Sequence, residues 1–168
     1  MKNNCKTEKI TPEHVQKHIL HEIAITPSHG KRNTKEFHKS VQKLKEDGHY
    51  KCFVTGKTEN LQVHHISEFS LENIVDFDKL KDFLLRIDFY GYSKLLQNTP
   101  ITSIDDVRNM LVLDQEHHTG VDKEDGGTGI GIHEVSWPVW VIQCVSKTGS
   151  NPVPQKGEQI ETVEARIK

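Results

Sequence analysis

The sequence predicts an α+β fold: a short β-hairpin followed by a helix, embedded among N-terminal and inserted helices. Three observations predict it. Residues 61–64 (LQVH) alternate apolar and polar, as a half-buried strand does, and residues 110–113 (MLVL) are a short apolar run of strand length. Stretches with apolar residues three and four apart flank both segments, which is the period of a helix with one buried face. About forty residues separate the two strands, so helices are inserted between them. At 168 residues the chain has room for one domain, or one domain with an appendage.

Composition narrows the class. Hydrophobic residues make up 34% and mean hydropathy is -0.62, which still supports a modest core. There is no apolar run of the ~20 residues a membrane span needs. The opening MKNNCKTEKI lacks the apolar centre of a signal peptide, so a cytoplasmic protein is expected. Three cysteines, Cys5, Cys52 and Cys144, are odd in number and far apart, which fits a reducing compartment rather than a disulfide framework. Net charge is -2, so there is no global basic signature for nucleic acid. The charge is unevenly spread: residues 1–60 carry 12 Lys and Arg against 7 Asp and Glu, whereas residues 61–126 carry 6 against 13. That asymmetry allows one basic face, and it is equally the mark of unevenly solvated surface.

Taken in order, Thr11 and Pro12 start a helix in which Val15, Ile19 and Ile23 recur every four residues, ending near Ile25 ahead of Thr26-Pro27. His14, His18 and His21 lie on or near it and are expected at the surface. After a polar loop, Asn33 with Glu36 resembles a capping box, and Phe37, Val41 and Leu44 give a second helix to about Glu46, stopped by Gly48. Lys35, Lys39, Lys43 and Lys45 of that helix, with Lys31 and Arg32, form the best phosphate-contacting candidate; a solvated helix face is the equal alternative. Residues 51–54 are expected to be short and extended, turned by Thr55-Gly56-Lys57. Within the insertion, Ser70 caps a helix through Ile74 and Val75. Phe77, Leu80, Leu84 and Ile87 mark another helix, residues 88–101 are irregular, and IDDVR after Ser103 makes a helical turn. Past the second strand, QEHH begins a turn or helix, and residues 120–131, with five glycines, form a loop. Ser136 caps a helix bearing Trp137, Trp140 and Ile142, where the tryptophans are expected to pack in the core. The end, IETVEARIK, reads equally as strand or helix. This organisation divides the chain into an N-terminal helical region (1–49), a core (50–146) with a helical insertion (67–108), and a tail (147–168).

Histidine is the unusual component, with 11 copies, and its positions carry the functional reading. Two separated strands each deliver a pair: His64-His65 ends the first, and His117-His118 follows the second. A phosphodiesterase site needs a divalent ion against the phosphate and a neutral imidazole to take a proton from water. The motif GGTGIG lacks the preceding strand and the Lys-Ser/Thr ending of a phosphate-binding loop, so nucleotide binding is not expected.

The two segments together resemble the HNH endonuclease family, with its ββα-metal fold. Cys52-Phe53-Val54-Thr55-Gly56, then Val63-His64-His65-Ile66, is similar to the family's knuckle and strand, which ends in an acidic residue or His followed by His. Asn109 to His118, reading NMLVLDQEHH, is similar to its second signature, with matching spacing from Asn to the final His. The resemblance implies His65 as general base, Asn109 as the residue bracing it, and His64 and His118 as metal ligands. His133 is added on chemical grounds as a third ligand returned by the glycine loop, and His117 is the alternative to His118. The family's structural zinc uses four cysteines. Cys52, Thr55, Asp114 and His117 stand at those positions here, and no structural four-cysteine zinc is expected because Thr55 is a poor ligand. The implied cofactor is Mg²⁺ or Mn²⁺, with Zn²⁺ or Ni²⁺ also suited to a His-rich site. DNA is the implied partner, no membrane is involved, and a homodimer would allow both strands to be cut. A phage-type setting in a bacterial cytoplasm goes with a small protein of this kind. The alternative is a non-cleaving nucleic-acid- or protein-binding module on a degenerate HNH scaffold.

Overall fold

The computed structural model describes residues 31–126, 129–134 and 137–168. The first expected helix with His14, His18 and His21, Cys5, and the Ser136 cap lie outside the described residues.

Helix α1 (Lys35–Glu46) begins at Thr34, whose side chain accepts from the Phe37 N–H. The cap is therefore Thr34 and not Asn33, whose Oδ1 instead meets His38 Nε2 at 2.7 Å. Glu36 in the first turn and Lys43 and Lys45 in the last complement the helix dipole. Strand β1 (Leu61–His65) pairs antiparallel with β2 (Met110–Asp114), with Val63 opposite Val112, His64 opposite Leu111 and His65 opposite Met110. All five β2 residues are buried. Its apolar run has that physical reason, because both faces of the hairpin are covered. On one face Met110 and Val112 pack with Leu44 of α1, Tyr92 and Val107; on the other Leu111 and Leu113 join a larger core with Leu80, Leu84, Val141 and Val145.

The insertion holds a 3₁₀ turn (Phe69–Ile74), α2 (Phe77–Ile87) and the single turn α3 (Tyr92–Leu95). Glu68, rather than Ser70, caps the 3₁₀ turn, because its carboxylate accepts from the Ser70 N–H at 3.1 Å. A 3₁₀ turn (Val107–Asn109) leads into β2, and α4 (Gln115–His118) follows β2 at once. Helix α5 (Trp137–Val145) packs on α2, and Trp140 meets Phe83 edge-on but is 45% exposed, so its packing is only partial. The C-terminal stretch is helix α6 (Ile160–Ile167); Val163 and Ile167 are buried, and Ile167 joins Leu71, Ile74 and Ile142. Residues 51–54 are a turn rather than a strand: Gly56 N donates to Cys52 O, and only Phe53 N reaches β2, at Val112 O.

Candidate metal centre and active site

Alternation along β1 puts Gln62 and His64 on one face and Val63 and His65 on the other. The adjacent histidines therefore enter different surroundings.

Asp114, at the end of β2, accepts from the His117 N–H and starts α4 immediately. That short helix brings His118 back against β1. His118 Nδ1 lies 2.5 Å from Gln62 Oε1, so Nδ1 donates and Nε2 keeps its lone pair. His118 Nε2 is 3.0 Å from His133 Nε2. His64 is 2% exposed, its ring lies 5.3 Å from that of His118 and 4.9 Å from that of His133, and its Nε2 has no hydrogen-bond partner. The ligand atoms of the three histidines all lie within 4.8 Å of one another. Two nitrogens bound ~2.1 Å from one ion stand roughly 3.0–3.4 Å apart at octahedral to tetrahedral angles, a spacing that His118 and His133 already have, and an all-imidazole donor set suits a cation. An unpaired buried nitrogen costs about 1–3 kcal/mol, which a bound ion would relieve.

The glycine loop supplies His133. A Cβ on Gly131 would sit 2.5 Å from Gly120 N and 2.6 Å from His118 O, so only glycine lets this strand of the loop lie against the end of α4. Gly129 N donates to Val121 O at 2.8 Å, closing the loop further. His133 then stands in the 3₁₀ turn Ile132–Glu134, beside His118.

Burial, then the neighbouring His133 and His118, pushes His64 down to about 2; burial, then His133, pushes His118 down to about 4. Both are neutral near pH 7, the form that binds metal. Below the ordinary value of 6.5 the unfolded chain takes up these protons and the folded chain does not, so stability is lost as pH falls. The loss begins near 6.5 and continues to about 4 for His118 and about 2 for His64. Melts of the EDTA-treated protein from about pH 7 to about pH 5 should therefore show a falling Tm, with a shallower fall in His118→Gln. An equal slope in the two proteins would contradict this.

On the second face, His65 is 5% exposed, stacked on Phe37 at 5.7 Å and tilted against Phe69 at 5.0 Å. Its Nε2 lies 2.9 Å from Asp105 Oδ1. The hydrogen bonds of the Asn109 side chain go to Ser67 and Ile104 and not to His65. Its Oδ1 accepts from Ser67 N at 2.8 Å, and its Nδ2 donates to Ser67 O at 3.1 Å and Ile104 O at 2.8 Å. Asn109 thus clamps the segment before β2 to the segment after β1, and so fixes Asp105 beside His65. Burial would raise the Asp105 carboxyl, but the bonds from His65, Arg32 and Thr34 outweigh it and hold the group well below the usual carboxylate range. Asp105 is the site residue that sequence reasoning missed. Only its acidity marked it, inside a segment that reads as a helical turn 40 residues from His65.

Residues 52–125 match the family model described as HNH endonuclease. This segment belongs to the HNH endonuclease family. No curated protein and no solved structure matches the chain.

The HNH match takes in His64, His65, Asn109, His117 and His118, and leaves His133 outside. At the HNH knuckle, Cys52, Thr55, Asp114 and His117 do come together. Asp114 is the hub: Thr55 Oγ1 donates to it at 2.9 Å and His117 Nδ1 lies 2.7 Å away. Cys52, Asp114 and His117 place their donor atoms within 4.8 Å of one another. His117 is thus grouped with the knuckle and His118 with His64 and His133.

One cavity of about 740 Å³ takes in Gln62, Val63, His64 and His65 together with His118 and His133. Its lining draws on both faces of β1 and on no β2 residue, so it follows the β1 edge that β2 leaves unpaired. Lys31 and Arg32 also line it. Arg32 is held by Asp105 at 2.9 Å and Glu72 at 2.6 Å, whereas Lys39 pairs with Glu36 on α1, and Lys43 pairs with Asp47 at its cap and lies 5.2 Å from the Tyr92 ring centre. Among the described residues, no helix is long and apolar enough to cross a membrane.

Proposed function

We propose that the HNH domain is a metal-dependent endonuclease that hydrolyses DNA phosphodiester bonds. In this reading His65 is the general base, and His64, His118 and His133 hold a divalent cation. The observation that carries it is the convergence of three imidazoles, one with an unpartnered buried Nε2, on the same cavity as His65. The cation, when bound, stabilises the charge that develops on the phosphate and the leaving oxygen. His65 takes a proton from the attacking water; the water oxygen forms a bond to phosphorus as the ester P–O bond breaks. Gln62 holds His118 in the tautomer that leaves Nε2 available. Three imidazoles with no carboxylate suit Mn²⁺, Ni²⁺ or Zn²⁺ at least as well as Mg²⁺. Lys31 at the cavity and Lys35, Lys39 and Lys43 along α1 would meet backbone phosphates, since exposed pairs such as those of Lys39 and Lys43 contribute little and exchange readily. One such centre cuts one strand, and cutting both requires a dimer or a second encounter.

The test is supercoiled plasmid incubated with purified protein and Mg²⁺, Mn²⁺, Ni²⁺, Zn²⁺ or EDTA. Nicking with at least one ion, abolished by EDTA, is expected. DNA retarded on a gel but uncut under every ion would instead favour a binding module on the same scaffold.

A further inference from the structure

We infer that Asp105 is the positioning residue for His65, setting its tautomer and orientation through a buried anchor built with Arg32 and Thr34. The inference deepens the endonuclease reading and rests on it for its catalytic consequence. Asp105 is 1% exposed, and both of its carboxylate oxygens are engaged. Oδ1 lies 2.9 Å from His65 Nε2 and accepts from Arg32 Nε at 2.9 Å. Oδ2 accepts from Thr34 Oγ1 at 2.5 Å and from the same Arg32 Nε at 3.0 Å. A carboxylate paired with a guanidinium is ionised and can only accept, so His65 Nε2 carries a proton and donates it to Asp105. Nδ1 is then the ring nitrogen that carries the lone pair and can take a proton from water.

Nothing in this arrangement is free to drift. The Asp105 backbone is tied at both ends, since its carbonyl accepts from Ser40 Oγ at 2.7 Å and its N–H donates to Ser103 Oγ at 3.1 Å. Arg32 is fixed in turn by Glu72 at 2.6 Å, and its guanidinium lies 5.4 Å from the Phe69 ring centre. Phe37 and Phe69 pack against the His65 ring, so rotation would cost those contacts. Thr34 has two roles: it caps α1 through the Phe37 N–H and donates to Asp105, which couples the start of α1 to the ring that Phe37 stacks on. Arg32 therefore acts as an internal anchor rather than as a contact reserved for DNA. Two of the four parts, Arg32 and Thr34, lie outside the matched HNH segment.

The experiment reads the tautomer directly. Long-range ¹⁵N–¹H correlation on the full-length labelled protein shows which ring nitrogen of His65 is protonated, with the signal identified by its absence in His65→Gln. The expected result is the Nε2–H tautomer in the wild type. In Asp105→Asn, whose side chain is isosteric but can also donate, Nδ1–H is expected to appear, with kcat for nicking lowered at least about 100-fold and KM little changed. Retained metal affinity in Asp105→Asn shows that the hairpin still folds; if it is lost, the wild-type tautomer alone decides. An Nδ1–H tautomer in the wild type, or an Asp105→Asn protein of unchanged kcat, overturns the inference. A wild type that never cuts DNA but shows the Nε2–H tautomer would sink the endonuclease reading and leave the Asp105–His65 assignment standing.

Discussion

His65→Ala lowers plasmid nicking by at least about 100-fold, the smaller end of what a general base contributes, and at saturating metal does not recover it. The ring is replaced by a void between Phe37 and Phe69, so some stability is lost as well. His65→Gln, which fills more of that space and cannot act as an imidazole base, should be equally inactive with a smaller drop in Tm. Metal affinity should survive in both variants, because His65 lies on the opposite face of β1 from His64 and makes no contact with His133 or His118 through its ring hydrogen bond. Calorimetric titration with Mn²⁺ or Zn²⁺ beside the nicking assay separates the two effects. Full activity in either variant would remove His65 as the base.

The second large effect is on the ion itself. His118→Ala should weaken binding by more than the ~10–100-fold that changes outside the ligand set produce, because it deletes a donor and leaves Gln62 without its partner. His117→Ala should leave affinity nearly unchanged, since His117 faces Asp114 and Cys52. Gly131→Ala gives the same loss as a ligand variant without touching a ligand. Its methyl group cannot fit 2.5 Å from Gly120 N, so the loop must lift and carry His133 away from His118. Calorimetry with the wild type and the three variants is the check. Normal affinity in His118→Ala would move the centre elsewhere, and normal affinity in Gly131→Ala would remove His133 from it.

Much of the local architecture was legible. Helix α2 was visible because Phe77, Leu80, Leu84 and Ile87 repeat with the helical period, and its burial follows that pattern. The hairpin and α4 were visible because two short segments carry a spacing that resembles the HNH signatures, and the family match covers both. Local reading failed where two local devices compete. Asn33 and Thr34 both can cap, and the choice fell to Thr34, which also reaches Asp105. Residues 51–54 look extended, but the knuckle's own backbone bonds, Gly56 N to Cys52 O and Cys52 N to Lys57 O, curl them. The C-terminal IETVEARIK is short enough to fit either period, and helix won because Val163 and Ile167, one turn apart, both find burial.

By itself, then, the amino-acid sequence determined the strands, most helices, and the histidines beside them, because periodicity, capping and motif spacing act over a few residues. Only the tertiary structure decided which distant groups meet. It sent His117 to the knuckle and His118 to His64, because successive positions on a single helical turn point in different directions. It also brought His133 across 15 residues by packing Gly131 on the end of α4, and Asp105 across 40 residues by clamping its segment with Asn109. Such pairings depend on the path of the whole chain, and no short-range pattern records that path.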